Sequence, residues 1–484
     1  MCLFKRGIRG TLWLALLNAP AFAAGSAAAS QSQPPVRSAP AAHAASATPQ
    51  APSATIKVNV NQVLVPVVVT DKHGHSVTGL TAADFEVFED GEREPLTAFS
   101  VQSDLGARTL QAGGAPSPSA LPAPAAAAIP SGAARRTYLV CLDTLNSKFE
   151  NLATVQGALK KLFKQEEGRG GGPEGAGGSQ YGLVALGRQP MVLQNLTRDP
   201  ARLLAALDDK RITAAISRGE SGNLAEQESE LTRILSNYCD RCPCAGEAGA
   251  SGRFAGGSDQ VCTAKLNQIE MWANSAGQER SQMARGFLND LTTLVEQLAR
   301  QPGKRVLVFI SDGFNLRPAR DLFGMIAIYV QNPSEEEQNA AEWLKPQLEA
   351  VERLATAKDV IFYTLDSKGL QATPAGGFDA SEDVQMRRET VLMTEIGQQK
   401  DMMRHENVDA LAELAAATGG VFYHNNNDLF RGLRQALADG RDYYLLAYAS
   451  PHTAADGKFR QIRVEVSGKN LVVRSKRGYW APGP

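Results

Sequence analysis

The chain has 484 residues, is 43% hydrophobic, and carries 50 Lys and Arg against 51 Asp and Glu, for a formal net charge of −1. That length implies more than one domain, and the apolar content is ample for a core, which excludes a chain disordered throughout. No basic block stands out, which argues against nucleic acid as a partner.

Lys5, Arg6 and Arg9 precede the short apolar run Thr11–Leu17 (TLWLALL), and Ala21-Phe22-Ala23 supplies small residues for cleavage before Ala24. This is the pattern of a signal peptide over residues 1–23, because a run of about seven apolar residues is too short for a bilayer that needs about 20. A secreted or periplasmic protein is expected, with no membrane span later in the chain. Residues 24–54 are Ala, Pro, Ser and Gln, a composition that buries too little surface to order and reads as a disordered tether. Ile56–Thr70 (IKVNVNQVLVPVVVT) then alternates and becomes β-branched. Ser76–Leu80 resumes an extended pattern, and Asp84–Glu89 (DFEVFE) runs into the hairpin dipeptide Asp90-Gly91. A small β-sandwich-like module is predicted over 55–103, followed by a Pro/Ala-rich linker over 104–134.

From 135 to 440 the pattern is α/β. The apolar run Thr137–Asp143 (TYLVCLD) precedes a helical face over Phe149–Phe163, and a glycine-rich loop follows. That loop lacks the Gly-Lys-Ser/Thr ending of a phosphate cradle. Tyr181–Leu186 and Met191–Leu196 read as a strand pair, with Thr197 next and a helix over Ala201–Leu207. Residues 209–264 break the rhythm as a polar insertion holding Cys239, Cys242, Cys244 and Cys262. Their spacing suits zinc or two disulfides; in an oxidising compartment disulfides are favoured, and the pairing is open. Cys141, inside a strand, reads as a core residue. A long helix over Leu266–Leu298 leads to the strand Arg305–Ile310 and then Ser311-Asp312-Gly313. A helix over Pro346–Ala357, a strand over Val360–Leu365, a polar excursion or lid over 367–405 and a helix over Val408–Ala417 complete the pattern. After a short strand at Val421-Phe422-Tyr423 and a helix over Asp428–Leu437, an extension over 441–484 carries three strand-like runs.

Apolar runs separated by helices are the mark of buried parallel strands, and ligands of such sheets gather beyond the strands' carboxyl ends. Asp143, Ser147, Thr197 and Asp312 each follow a predicted strand, and their hard oxygens suit Mg²⁺ or Mn²⁺. The plainer role for Asp143, Asp312 and Ser147 is helix or turn capping. Enzyme chemistry has little to hold: Ser311-Asp312-Gly313 is not a nucleophile elbow, and His405 and His424 sit in no metal pair. The chain is therefore expected to be non-enzymatic, a secreted hydrolase being the less favoured alternative.

The segment VVVTDKHGHSVTGLTAADFEVFEDGE, then Leu142-Asp143, Leu196-Thr197, Ser311-Asp312-Gly313 and Thr418-Gly419-Gly420, and finally Lys476-Arg477-Gly478-Tyr479, follow one another in an order that resembles the von Willebrand factor A family. The likeness is greatest to the bacterial branch called the acidobacterial VWFA-related domain. It implies a doubly wound, mostly parallel sheet, preceded by the small β module and followed by β-strands. It further implies a metal-ion-dependent adhesion site with the pattern Asp-x-Ser-x-Ser, a separate Thr and a later Asp. Asp143 and Ser147 match the first and last positions, Thr197 the Thr, and Asp312 the later Asp. Leu145 stands where the middle oxygen belongs, so the site is degenerate and weak occupancy by Mg²⁺ or Mn²⁺ is expected. The implied function is a binding, adhesion or scaffold role toward an unidentified protein, engaged through an acidic side chain. The alternative is a metal-free structural or interaction module.

Overall fold

The computed structural model describes residues 62–102, 108–109, 135–168, 179–210, 221–242, 259–330, 343–370, 384–452 and 454–481, with a few single positions besides. The signal segment, the tether, the glycine-rich loop and all of 104–134 except Arg108-Thr109 lie outside the described residues.

The chain opens with strands β1 (Gln62–Asp71), β2 (Phe85–Glu89), β3 (Glu92–Glu94), β4 (Leu96–Gln102) and β5 (Arg108–Thr109). The α/β part begins with β6 (Arg136–Asp143), α1 (Phe149–Gly168), β7 (Ser179–Leu186), β8 (Pro190–Thr197) and α2 (Pro200–Leu207). Two helices, α3 (Ser221–Cys239) and α4 (Asp259–Ala299), lead to β9 (Lys304–Ser311), α5 (Arg320–Tyr329), α6 (Lys345–Ala357) and β10 (Val360–Asp366). Next come α7 (Val384–Thr418), β11 (Phe422–Tyr423) and α8 (Leu429–Arg441), then β12 (Tyr443–Ala449), β13 (Phe459–Val466), β14 (Leu471–Ser475) and β15 (Gly478–Trp480).

The α/β part is a six-stranded sheet in the order β11-β10-β9-β6-β7-β8. Every pairing is parallel except that of β8, which runs antiparallel to β7 at one edge. Alternation along β6 explains why its whole run is apolar: successive side chains enter opposite layers. Tyr138, Val140 and Leu142 pack with Leu152 and Val155 of α1, Leu203 of α2 and Leu433 of α8. Leu139 and Cys141 face the other way, into a core with Leu291 of α4, Leu348 of α6 and Leu414 of α7. Connections leave in opposite directions from β6 and β9, so the switch point of the sheet, where a crevice forms, lies between their carboxyl ends.

The insertion builds a core of its own, in which Leu231 and Leu235 of α3 meet Ile269 and Ala273 of α4 and Leu322 and Ile326 of α5. Disulfides Cys239–Cys244 and Cys242–Cys262 close it, with Cα separations of 5.5 and 5.6 Å, and decide the pairing left open by the spacing. The stretch 367–405 is not a loop excursion over its second half, since α7 is helical from Val384 onward. Its first turns are too polar to show an apolar stripe, the signal on which a helix is recognised.

The amino-terminal strands and the last strands belong to the same two sheets. One sheet runs β14-β1-β12-β4-β5 and the other β15-β13-β2-β3. Thus β12 lies between β1 and β4, and β13 pairs with β2. Val65, Val67, Phe85, Val87 and Phe99 share a core with Tyr444, Leu446, Tyr448 and Ile462. Local alternation marks each strand but not its partner, which is why the two ends read as separate pieces. Ser76–Leu80 forms no strand, only a bridge from Ser76 to Thr70.

Candidate functional site

Three adjacent strands, β6, β9 and β10, end in acid or hydroxyl residues on the carboxyl side of the sheet: Asp143, then Ser311-Asp312, then Asp366-Ser367. The register places Asp366 beside Ser311, so parallel pairing alone gathers these groups. Asp143 is fully buried. Its Oδ1 accepts from the backbone N–H groups of Leu145 (3.0 Å) and Asn146 (2.9 Å). The Asn146 amide Nδ2 donates to both carboxylate oxygens, at 3.2 and 3.0 Å, and Ser311 Oγ donates to Oδ2 at 2.6 Å. Burial pushes the Asp143 carboxyl up to about 6, against the lowering effect of these hydrogen bonds.

Asp312 is tied to the β6–α1 loop from both sides. Its backbone N–H donates to Ser147 Oγ at 2.9 Å. Its Oδ2 accepts from Lys148 N (3.0 Å) and Asn151 Nδ2 (2.7 Å), and its Oδ1 from Ser367 Oγ (2.5 Å). An aspartate from a neighbouring strand thus sits at the start of α1, where it accepts the backbone N–H of Lys148, the residue before the helix, and the side-chain amide of Asn151 in its first turn. Burial also raises Asp366, with Lys368 acting in the opposite direction. The cluster therefore holds three carboxylates around hydroxyls, in a site covered by α7: a Cβ built at Gly313 (φ +91°) would lie 2.6 Å from the Asn407 carbonyl oxygen. A cavity of about 160 Å³ lies beside it, lined by Leu145, Asn146, Gly313, Asn315, Asn407 and Asp321 among others.

Of the four residues singled out from the sequence, Asp143, Ser147 and Asp312 meet here. Thr197 does not. Because β8 is antiparallel, its end lies at the amino side of the sheet, where Thr197 pairs with Tyr181 and Tyr181 with Tyr138. Five residues of strand separate that level from Asp143, roughly 17 Å along the sheet. Thr197 Oγ1 instead accepts from Asp199 N at 3.1 Å, at the start of α2. Leu145 is buried in the core with Phe287, Phe309 and Phe314 and is a packing residue there. Ser311, Ser367, Asp366 and Asn151 were missed from sequence. Asp366-Ser367 carried the same signal as Asp143, an apolar run ending in a polar pair.

No family model matches the sequence, and no curated protein matches it. Among solved structures, the chain is similar to an aerotolerance-related membrane protein from Bacteroides fragilis NCTC 9343, at 12% identity over 63% of this chain and 97% of that one, with a TM-score of 0.24. It is also similar to the manganese-loaded TRAP protein of Plasmodium vivax, at 9% identity over 71% and 93%, TM-score 0.25. A third is the type V pili tip protein Mfa5 of Porphyromonas gingivalis, at 9% identity over 72% and 60%, TM-score 0.26. Likenesses this low carry no argument about what this chain binds.

Proposed function

We propose that the chain is an exported, non-enzymatic binding protein of the von Willebrand A type, whose sheet-end cluster engages an acidic side chain of a protein partner. The observation that supports this most is the convergence of Asp143, Ser147 and Asp312 at the switch point of a doubly wound sheet. These three would hold Mg²⁺ or Mn²⁺, since all offer hard oxygens. When bound, such an ion supplies an open position for a partner's carboxylate. Occupancy would be weak, because the Asn146 amide already fills lone pairs of Asp143 that a cation needs. The hydroxyl of Ser311, donated to Asp143 and itself accepting from Gly313 N at 2.9 Å, is a structural group and not a poised nucleophile.

The donor-filled carboxylate favours a second reading, a metal-free interaction module in which Asn146 takes the place of the ion. Titration of Mg²⁺ and Mn²⁺ into chelator-treated protein separates the two. The metal reading expects a modest, saturable rise in melting temperature that is lost in Asp143→Ala. No response at millimolar metal would leave the metal-free module standing.

A further inference from the structure

A second group of ligating side chains lies in the terminal sandwich. Glu89 ends β2, Asp90 opens the following turn, and His452 follows β12. One carboxylate oxygen from each acid and a ring nitrogen of His452 all lie within 4.8 Å of one another. His452 Nε2 is 3.9 Å from Glu89 Oε1 and 3.7 Å from Asp90 Oδ2.

The surroundings hold these atoms in place. Glu89 is 1% exposed, and two hydroxyls donate to it, Tyr448 to Oε2 at 2.6 Å and Ser450 to Oε1 at 2.8 Å. The single proton of Tyr479 goes to its nearer acceptor, Ser450 Oγ, at 2.9 Å. Each Glu89 oxygen thus accepts one hydrogen bond, where each Asp143 oxygen accepts at least two. Asp90 Oδ1 accepts from Gln461 N at 2.8 Å, which leaves Oδ2 toward His452. The backbone N–H of His452 donates to Ser450 Oγ at 3.2 Å, so the loop carrying the imidazole is tied to a residue that also orients Glu89. Hydroxyls donate to a buried carboxylate but bring no charge. Among the described residues, His452 alone brings a basic nitrogen within 4.0 Å of Glu89. A buried carboxylate is ordinarily paired with a cation or bound to a metal. Asp90 and His452 are exposed, so an ion has a way in and water can complete its shell.

We propose that Glu89, Asp90 and His452 form a binding site for a divalent ion of the zinc class. Two carboxylate oxygens and one imidazole nitrogen are a borderline donor set that suits Zn²⁺ better than Mg²⁺. Donors of a tetrahedral zinc stand about 3.4 Å apart, so the pairs with His452 need to contract by only about 0.4 Å. Tyr448 and Ser450 orient the Glu89 ligand directly, and Tyr479 does so through Ser450. The bound ion would join the turn after β2 to the loop after β12, stapling the amino-terminal strands to the carboxy-terminal ones. A salt bridge from protonated His452 would use the same residues and show no response to metal.

The test uses untagged, full-length, chelator-stripped protein, with Zn²⁺ titrated calorimetrically and Co²⁺ as a spectroscopic probe. His73 and His75, beside Asp71, are an exposed alternative site, so His75→Ala is a control. The expected result is one Zn²⁺ bound with a saturable thermal shift, and visible Co²⁺ bands reporting a nitrogen–oxygen shell. Both should persist in His75→Ala and in Asp143→Ala. Affinity should fall at least about tenfold in His452→Ala and in Asp90→Asn, exposed positions whose variants keep the native circular dichroism. Absence of stoichiometric binding by the wild type, or unchanged binding by His452→Ala, overturns the proposal.

Discussion

Leu145→Ser returns an oxygen to the position where the von Willebrand A pattern carries one, and the structure says what that costs. Leu145 is 4% exposed and belongs to the core that α4, α6 and α7 form against the sheet. Truncating a buried leucine costs about 2–5 kcal/mol, depending on how far the site collapses. A hydroxyl left there without a partner adds about 1–3 kcal/mol. A loss of about 4 kcal/mol is expected, a large fraction of an ordinary domain's stability. Urea unfolding of metal-stripped wild type and variant measures it, with and without millimolar Mg²⁺. Because the side chain enters the core and not the carboxylate cluster, the variant should gain no added response to Mg²⁺. A variant within about 1 kcal/mol of wild type that also binds Mg²⁺ tightly would refute this. The loop would then be free to turn residue 145 toward the cluster, and core packing could not explain the missing ligand.

Glu352, with a buried and unpartnered Oε1, is pushed up to about 7, mainly by burial. The native state thus holds this proton at pH values where the unfolded chain has lost it, and the stability lost between about pH 4.5 and 7 should be recovered in Glu352→Gln. Identical pH profiles for wild type and variant would contradict this. Lys304 is lowered to about 7 by burial, while its Nζ donates to the Asp439 carbonyl at 3.0 Å and sits 3.7 Å from the Tyr443 ring centroid. Here the unfolded state binds the extra proton, so wild-type stability should rise relative to Lys304→Met from about pH 7 to pH 10. Denaturation at a series of pH values tests the sign, and a fall over that range would oppose it.

The parts of the site visible in the sequence were those written into single strands. β6 and β9 are buried on both faces, so each reads as an unbroken apolar run, and the first acid after it marks the sheet's edge. Strand direction is marked by connection length. The four residues between Tyr181–Leu186 and Met191–Leu196 are too few for a parallel crossover, so the pair must be antiparallel and Thr197 must fall at the other edge of the sheet. The match of Thr197 to the von Willebrand A pattern overrode that local signal. Asp366-Ser367 bears the same local mark as Asp312, an acid beside a hydroxyl at the end of an apolar run, but the von Willebrand A pattern has a place for Asp312 and none for Asp366. Asn146 shows a different limit: whether an asparagine beside an aspartate is a ligand or an amide donor depends on side-chain orientation, which spacing does not encode.

The pairing of the two ends constrains how the molecule assembles. In the α/β sheet, β6, β7 and β8 are neighbours in both sequence and space, so their contacts close short loops. The sandwich instead pairs Gln62 with Ala449 and Phe85 with Val466, contacts that need almost the whole chain. Closing loops of that length costs entropy before any burial offsets it, which places these contacts late in folding. A docked α/β part reduces the cost, since α8 leads directly into β12 and fixes where that strand starts. Arg474 of β14 then pairs with buried Asp439 of α8 at 2.5 Å, and Lys476 with Asp359 at 3.0 Å. These ion pairs join the sandwich to α8 and to the turn between α6 and β10. The topology therefore predicts that the α/β part forms first and that β1 enters last, between β12 and β14. Protection of β1 amides before those of β6 and β9 in pulsed hydrogen exchange during refolding would refute that order.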